Sequence, residues 1–170
     1  LPEHDLVVVD EAHQLEDIVS DTCGFELSSG RFQNLARAVR SILDDPASVD
    51  EVEASASALS RVFSLHVGRR LKGAGEPEIN EQLVLARSRL DRVATALRKI
   101  PDSASDDVKN RKERAVQLTG HLQVDLSLAT AVPATSVAWV EGPDSNPRLR
   151  VAPLDVAELL PAKLWDARPA

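Results

Sequence analysis

The sequence predicts a mainly α protein of long antiparallel helices with a small β portion, an N-terminal strand plus a C-terminal hairpin. Three observations carry this. Ile79, Leu83, Ala86, Leu90, Val93, Leu97 and Ile100 recur at alternating steps of four and three, the seam of a helix that packs at a shallow angle along another. Short segments rich in Pro, Gly, Ser or Asp separate the helical stretches, which makes consecutive helices antiparallel neighbours. Runs with strand character lie at both ends of the chain, at Leu6–Val9 and between Ser136 and Val151.

Taken in order, Leu6-Val7-Val8-Val9 reads as a strand buried on both faces, as in the centre of a parallel sheet. From Gln14 the period becomes helical, with Leu15, Ile18, Val19 and Thr22/Cys23 inward and Gly24 as a left-handed stop. Phe25 to Leu27 is a brief extended link. Ser28 or Ser29 caps a helix with Phe32, Leu35, Ala36, Val39, Ile42 and Leu43 on one face, ended by Asp44-Asp45-Pro46. Ser48 and Glu51 form a capping box for a long helix carrying Val52, Ala56, Leu59, Phe63 and Val67 inward. Arg69, Arg70 and Lys72 crowd its last turn. The seam helix follows the Gly73–Pro77 turn.

After Pro101, with Ser103 and Ser105 as cap candidates, a further helix runs from about Asp106 to Thr130. Val108, Ala115, Leu118, Leu122, Leu126 and Ala129 mark its inner face. Ser136–Glu141 and Arg148–Val151 flank a Gly/Pro/Asn-rich turn and make a hairpin. Asp155 and Glu158 then cap a short helix with Leu159, Leu160 and Leu164.

The 170 residues suffice for one ordinary domain. An apolar fraction of 43% and a charged fraction of 28% are those of a soluble globular protein, and no apolar run approaches a membrane span. A single cysteine, Cys23, excludes an internal disulfide and fits a reducing cytoplasm; it reads as a small buried hydrophobe. The absence of methionine even at position 1 reads as a fragment. The net charge of −7 is unevenly spread. Residues 1–30 hold eight acidic residues and no Lys or Arg, whereas Arg61–Arg114 holds 13 basic and 8 acidic residues. This excludes a general nucleic-acid coat but permits a local basic track.

Chemistry concentrates in Asp10-Glu11-Ala12-His13. Two carboxylates at the carboxyl end of a buried strand lie where open α/β sheets bind ligands. Asp10 suits a Mg²⁺ ligand and, with Glu11, a nucleotide-binding pair, because Mg²⁺ takes few protein oxygens and borrows the rest from phosphate. Glu11 suits the residue that orients or deprotonates the water attacking a γ-phosphate. His13 suits a hydrogen bond across a cleft that reports the phosphate state. A solvated strand end carries the same carboxylates, as does a helix N-terminus. For Arg69, Arg70 and Lys72, capping of the helix carbonyls competes with phosphate binding, since no aromatic residue is interleaved to stack bases. No G-x-x-x-x-G-K-[ST] motif occurs, so the chain alone does not cradle ATP.

Val7-Val8-Val9-Asp10-Glu11-Ala12-His13 resembles the Walker B or DEAH box of superfamily 2 helicases. A specified tetrapeptide arises by chance in a chain this long about once in a thousand times. The flanks Leu1–Asp5 and Gln14–Asp17, with Arg150–Leu160, resemble the DinG branch of the XPD/DinG helicases.

The resemblance implies a motor-domain piece over 1–24 carrying the box, a helical arch-like insertion over 25–131, and a return to the RecA-like motor domain over 132–170. It implies ATP and Mg²⁺ as cofactors and single-stranded DNA and the remaining motor domains as partners. It further implies 5′ to 3′ movement and a role in DNA repair or replication in the cytoplasm. Here Asp10 would serve Mg²⁺, Glu11 the water and His13 the coupling of hydrolysis to motion. The family's iron-sulfur cysteines lie upstream of the box, so no cluster ligands fall within this chain. The fragment itself is expected to be inactive. Leu6–Val9, cut from its sheet, is expected to pair with the Trp139 and Leu149 strands, to pair with another copy of the chain, or to be displaced. The competing expectation is a helical protein-interaction module without nucleotide chemistry.

Overall fold

The seam expected along Ile79–Leu97 is the spine of the structure, a computed structural model that describes residues 10–71, 76–101 and 105–155. A 3₁₀ turn (Ala12–Gln14) leads into α1 (Leu15–Cys23), β1 (Phe25–Ser28), α2 (Ser29–Arg40), α3 (Pro46–Ser64) and β2 (Arg70–Leu71). Next come α4 (Pro77–Arg98), α5 (Asp106–Thr130), β3 (Ser136–Glu141) and β4 (Arg148–Pro153). All six apolar residues of the α4 seam from Ile79 to Leu97 are buried, and Ile100 is half-buried. Each Leu, Ile or Val removed from water there stabilises the fold by roughly 1.5–3 kcal/mol.

Helices α2 to α5 pack in chain order and close into a ring, with α5 returning against α2. Polar contacts show that neighbours run antiparallel. Arg92 meets Glu51 at 2.8 Å while Arg89 donates to Ser55 at 3.0 Å, so numbering rises along α4 as it falls along α3. Likewise Gln123 donates to Asp91 at 2.6 Å and Lys112 to the Ile100 carbonyl at 2.9 Å. Arg31 pairs with Asp125 at 2.5 Å near one end of α2, and Arg111 reaches the Ser41 carbonyl at 3.5 Å near the other.

The strands form one antiparallel sheet in the order β1-β4-β3-β2 at the end of the bundle where α2 begins and α5 ends. Alternation sends Leu27, Leu71, Ala138, Val140, Leu149 and Val151 into the same core as the helices. The opposite face carries Glu26, Arg70, Trp139, Glu141, Arg148 and Arg150, none of them buried. The expected hairpin is present, with Ser136 opposite Pro153 and Glu141 opposite Arg148. What reads locally as a link at Phe25 is a strand, because Phe25–Ser28 finds a partner in Val151–Arg148, far along the chain.

Several local expectations are corrected. Helix α3 begins at Pro46, capped by Asp45, whose carboxylate accepts from the Ser48 amide at 3.4 Å and the Ser48 hydroxyl at 2.6 Å. Ser48 is thus a donor to the cap, and Glu51 pairs with Arg92 instead of reaching back. Helix α3 ends at Ser64, so Arg69 and Arg70 are outside it. Gly68, at φ 76°, supplies the left-handed turn toward β2. Helix α2 stops at Arg40, short of Ile42 and Leu43, which still pack against the core.

Gly24 does end α1, but in extended backbone, φ −83° and ψ 179°. Glycine is needed there for space: a Cβ would lie 2.6 Å from the Val151 carbonyl oxygen and 2.7 Å from that of Ser20. Cys23 is exposed, not buried, and Ile18 is 56% exposed, because the described residues place no core against that face of α1. The expected Leu6–Val9 strand, Lys72 and the helix after Asp155 lie outside the described residues. Among the described residues no helix is long and apolar enough to cross a membrane.

Candidate functional site

Asp10 and Glu11 immediately precede the 3₁₀ turn that starts α1, and both are exposed. Glu11 takes φ 53°, a left-handed conformation that costs a side-chain-bearing residue roughly 1–2 kcal/mol. Two hydrogen bonds hold it. The Glu11 amide donates to Asp10 Oδ1 at 2.9 Å, and the Glu11 carbonyl accepts from the Gln14 amide at 2.9 Å. The kink gives the two carboxylates different surroundings. Asp10 folds onto the backbone, while Glu11 Oε2 lies 3.1 Å from His13 Nδ1. The side chains of His13 and Glu11 are 72% and 65% exposed, so this contact stands in water and is weak on its own.

The structure therefore brings Glu11 and His13 together and places Asp10 beside them. Among the described residues no group of three or more His, Cys, Asp or Glu side chains gathers to hold a metal. One or two carboxylate oxygens still suit Mg²⁺, which is commonly held by few protein ligands plus water and phosphate. The donor set at Asp10 fits that ion, and it does not fit a structural Zn²⁺ site, which needs four protein ligands.

Arg69 and Arg70 are exposed at the edge of the sheet. Backbone pairing secures them: the Arg69 amide donates to the His66 carbonyl at 3.0 Å, and the Val140 amide donates to the Arg69 carbonyl at 3.1 Å. Arg70 lies opposite Trp139 in register, so an aromatic residue does stand next to the basic pair, contrary to the reading from local sequence. Trp139 is engaged already, with the Arg150 guanidinium 5.7 Å from its ring centroid and its indole N–H donating to Glu141 at 2.8 Å. Alternation within Ser136–Glu141 places Trp139 on the outer face, but its pairing with β2 is non-local and left no sequence signal. A second basic cluster, Arg37, Arg111 and Arg114, was also missed, because its members come from helices some seventy residues apart.

No protein-family model matches the chain. Curated relatives named ATP-dependent helicase DinG, from Mycobacterium tuberculosis and Mycobacterium bovis, are 33% identical to it over 187 aligned residues. The match takes in 97% of this chain and 26% of each relative. By sequence the chain is thus DinG-like over nearly its whole length, and it spans about a quarter of the length of the curated relatives it matches.

Proposed function

We propose that the chain is part of an ATP-dependent DNA helicase of the DinG type, active in the cytoplasm in DNA repair or replication and moving 5′ to 3′. The observation that carries this is the Asp10-Glu11-Ala12-His13 box within a match that runs almost end to end. In this reading residues 1–24 and 132–170 flank an arch-like insertion over 25–131. The hairpin shares its core with the helices, so the insertion and its return strands fold as one body.

Asp10 is the residue to hold Mg²⁺, which when bound neutralises charge on the transferring phosphoryl group. Glu11 positions the attacking water and receives its proton. Its backbone is left-handed at φ 53°, and its carboxylate lies 3.1 Å from the His13 imidazole. His13, 3.1 Å from Glu11, is the residue to couple hydrolysis to motion by reporting the phosphate state to a second motor domain. Arg69, Arg70 and Lys72 are candidate contacts to single-stranded DNA.

The test has two arms. This chain with ATP, Mg²⁺ and single-stranded DNA should show no turnover, because the sequence has no phosphate-cradling G-x-x-x-x-G-K-[ST] loop. In the longer protein this reading implies, E11Q should lower the hydrolysis rate roughly 10²–10⁴-fold while ATP still binds. Turnover by the chain alone, or an unimpaired E11Q protein, would contradict the reading.

A further inference from the structure

We propose that a cleft between α2 and α5, at the end of the bundle away from the sheet, binds a backbone phosphate of single-stranded DNA. Asn34, Arg37, Ala38, Ser41, Arg111 and Arg114 line it, and it encloses about 370 Å³. Three arginines from two helices thus line one cleft whose lining includes no carboxylate. Two of the three are oriented by polar neighbours. Arg111 is clamped by Asp107 one turn earlier on α5 and donates to the Ser41 carbonyl at 3.5 Å. Arg37 donates to Asn34 Oδ1 and to the Gln33 carbonyl at 3.4 Å.

Capping offers a competing explanation, since cations favour the carbonyl end of a helix. It accounts for Arg37 and Arg40 in the last turn of α2, and for the reach of Arg111 to Ser41. It does not account for Arg114. That residue makes no hydrogen bond or ion pair among the described residues, yet it lines the same cleft. Of the arginines on α2, Arg31 and Arg40 pair with Asp125 and Glu53 on neighbouring helices, whereas among the described residues Arg37 meets only Asn34 and the Gln33 carbonyl. Asp107 pairs with Arg111, so Arg37 and Arg114 keep positive charge that an anion would relieve. Guanidinium is planar, always charged and matched to the paired oxygens of phosphate.

The choice of nucleic acid rests on the helicase reading. Arg114 lies sixteen residues before Thr130, the end of α5, or about 24 Å along the helix from the sheet. The cleft is therefore a contact remote from the sheet, suited to a strand that runs along the bundle.

Fluorescence anisotropy of a labelled oligothymidylate, titrated with the 170-residue chain between about 50 and about 200 mM salt, tests this. R114E should melt at the wild-type temperature, bind at least about tenfold more weakly, and lose ~0.7 from the slope of log affinity against log salt for each phosphate contact removed. R87E, an equal charge change at an exposed position on α4, should stay within about twofold of wild type. Equal losses in R114E and R87E would reduce the effect to net charge and overturn the assignment. So would absence of binding by the wild type, or displacement of the oligonucleotide by low concentrations of inorganic phosphate, which marks a small-anion site. None of these outcomes bears on E11Q and ATP turnover, so a failed cleft and a failed helicase reading are distinguishable.

Discussion

Asp45 shows how one side chain sets a helix boundary. Its carboxyl is held below the usual aspartate range chiefly by the Ser48 hydroxyl, against an opposing effect of burial, with the amides of Ser48 and Ala47 each lowering it by less. A depressed folded-state value means that the cap's contribution is complete above the ordinary aspartate pKa of ~3.9 and is lost as pH falls through the folded value. D45A should therefore lower the melting temperature near neutral pH, and its difference from wild type should shrink in acid. A difference independent of pH would show that the carboxylate does not act as the cap. Gly24 makes a second point at this scale. G24A should cost about 1–3 kcal/mol in urea melts, because its Cβ meets two backbone oxygens that cannot rotate away. From sequence Gly24 reads as a helix stop, which it is, but the reason is crowding by Val151, 127 positions on.

Among elements, α4 was the most readable and the termini of α3 the least. Seven apolar residues at four-and-three spacing point to one face whatever the neighbours do, and the structure buries six of them fully. L90A should destabilise by roughly 2–5 kcal/mol, whereas V84A, at a side chain 53% exposed on the same helix, should stay within about 0.5 kcal/mol. Similar effects at the two positions would mean that the seam is misplaced. Helix starts are harder, because Asp45-Pro46 and Ser48-x-x-Glu51 are both valid start signals three residues apart. Asp45 prevails because Pro46, with no amide hydrogen to satisfy and a helical φ already set, suits the first position of the helix. The two-residue strand β2 is invisible locally; only Ala138 and Trp139 across the sheet define it.

For the whole molecule, the sheet seals one end of the helical ring. Strands β1 and β4 bring the start of the helical region beside the end of the hairpin, and Leu27, Leu71, Leu149 and Val151 share the helices' core. Ending the chain at Ala131 should therefore uncover that end and abolish a single cooperative thermal transition. Helices that melt as in the intact chain would show the hairpin to be an accessory. The box was readable in sequence because its residues are contiguous; its geometry was not, since neither the left-handed Glu11 nor the Glu11–His13 contact follows from residue order. The most direct measurement is DNA-stimulated ATP hydrolysis by the longer protein that the proposed function implies, with Asp10 and Glu11 both changed to their amides. Near-complete loss of turnover with retained folding is expected, and undiminished turnover would contradict the assignment of this chain to a nucleotide-driven motor.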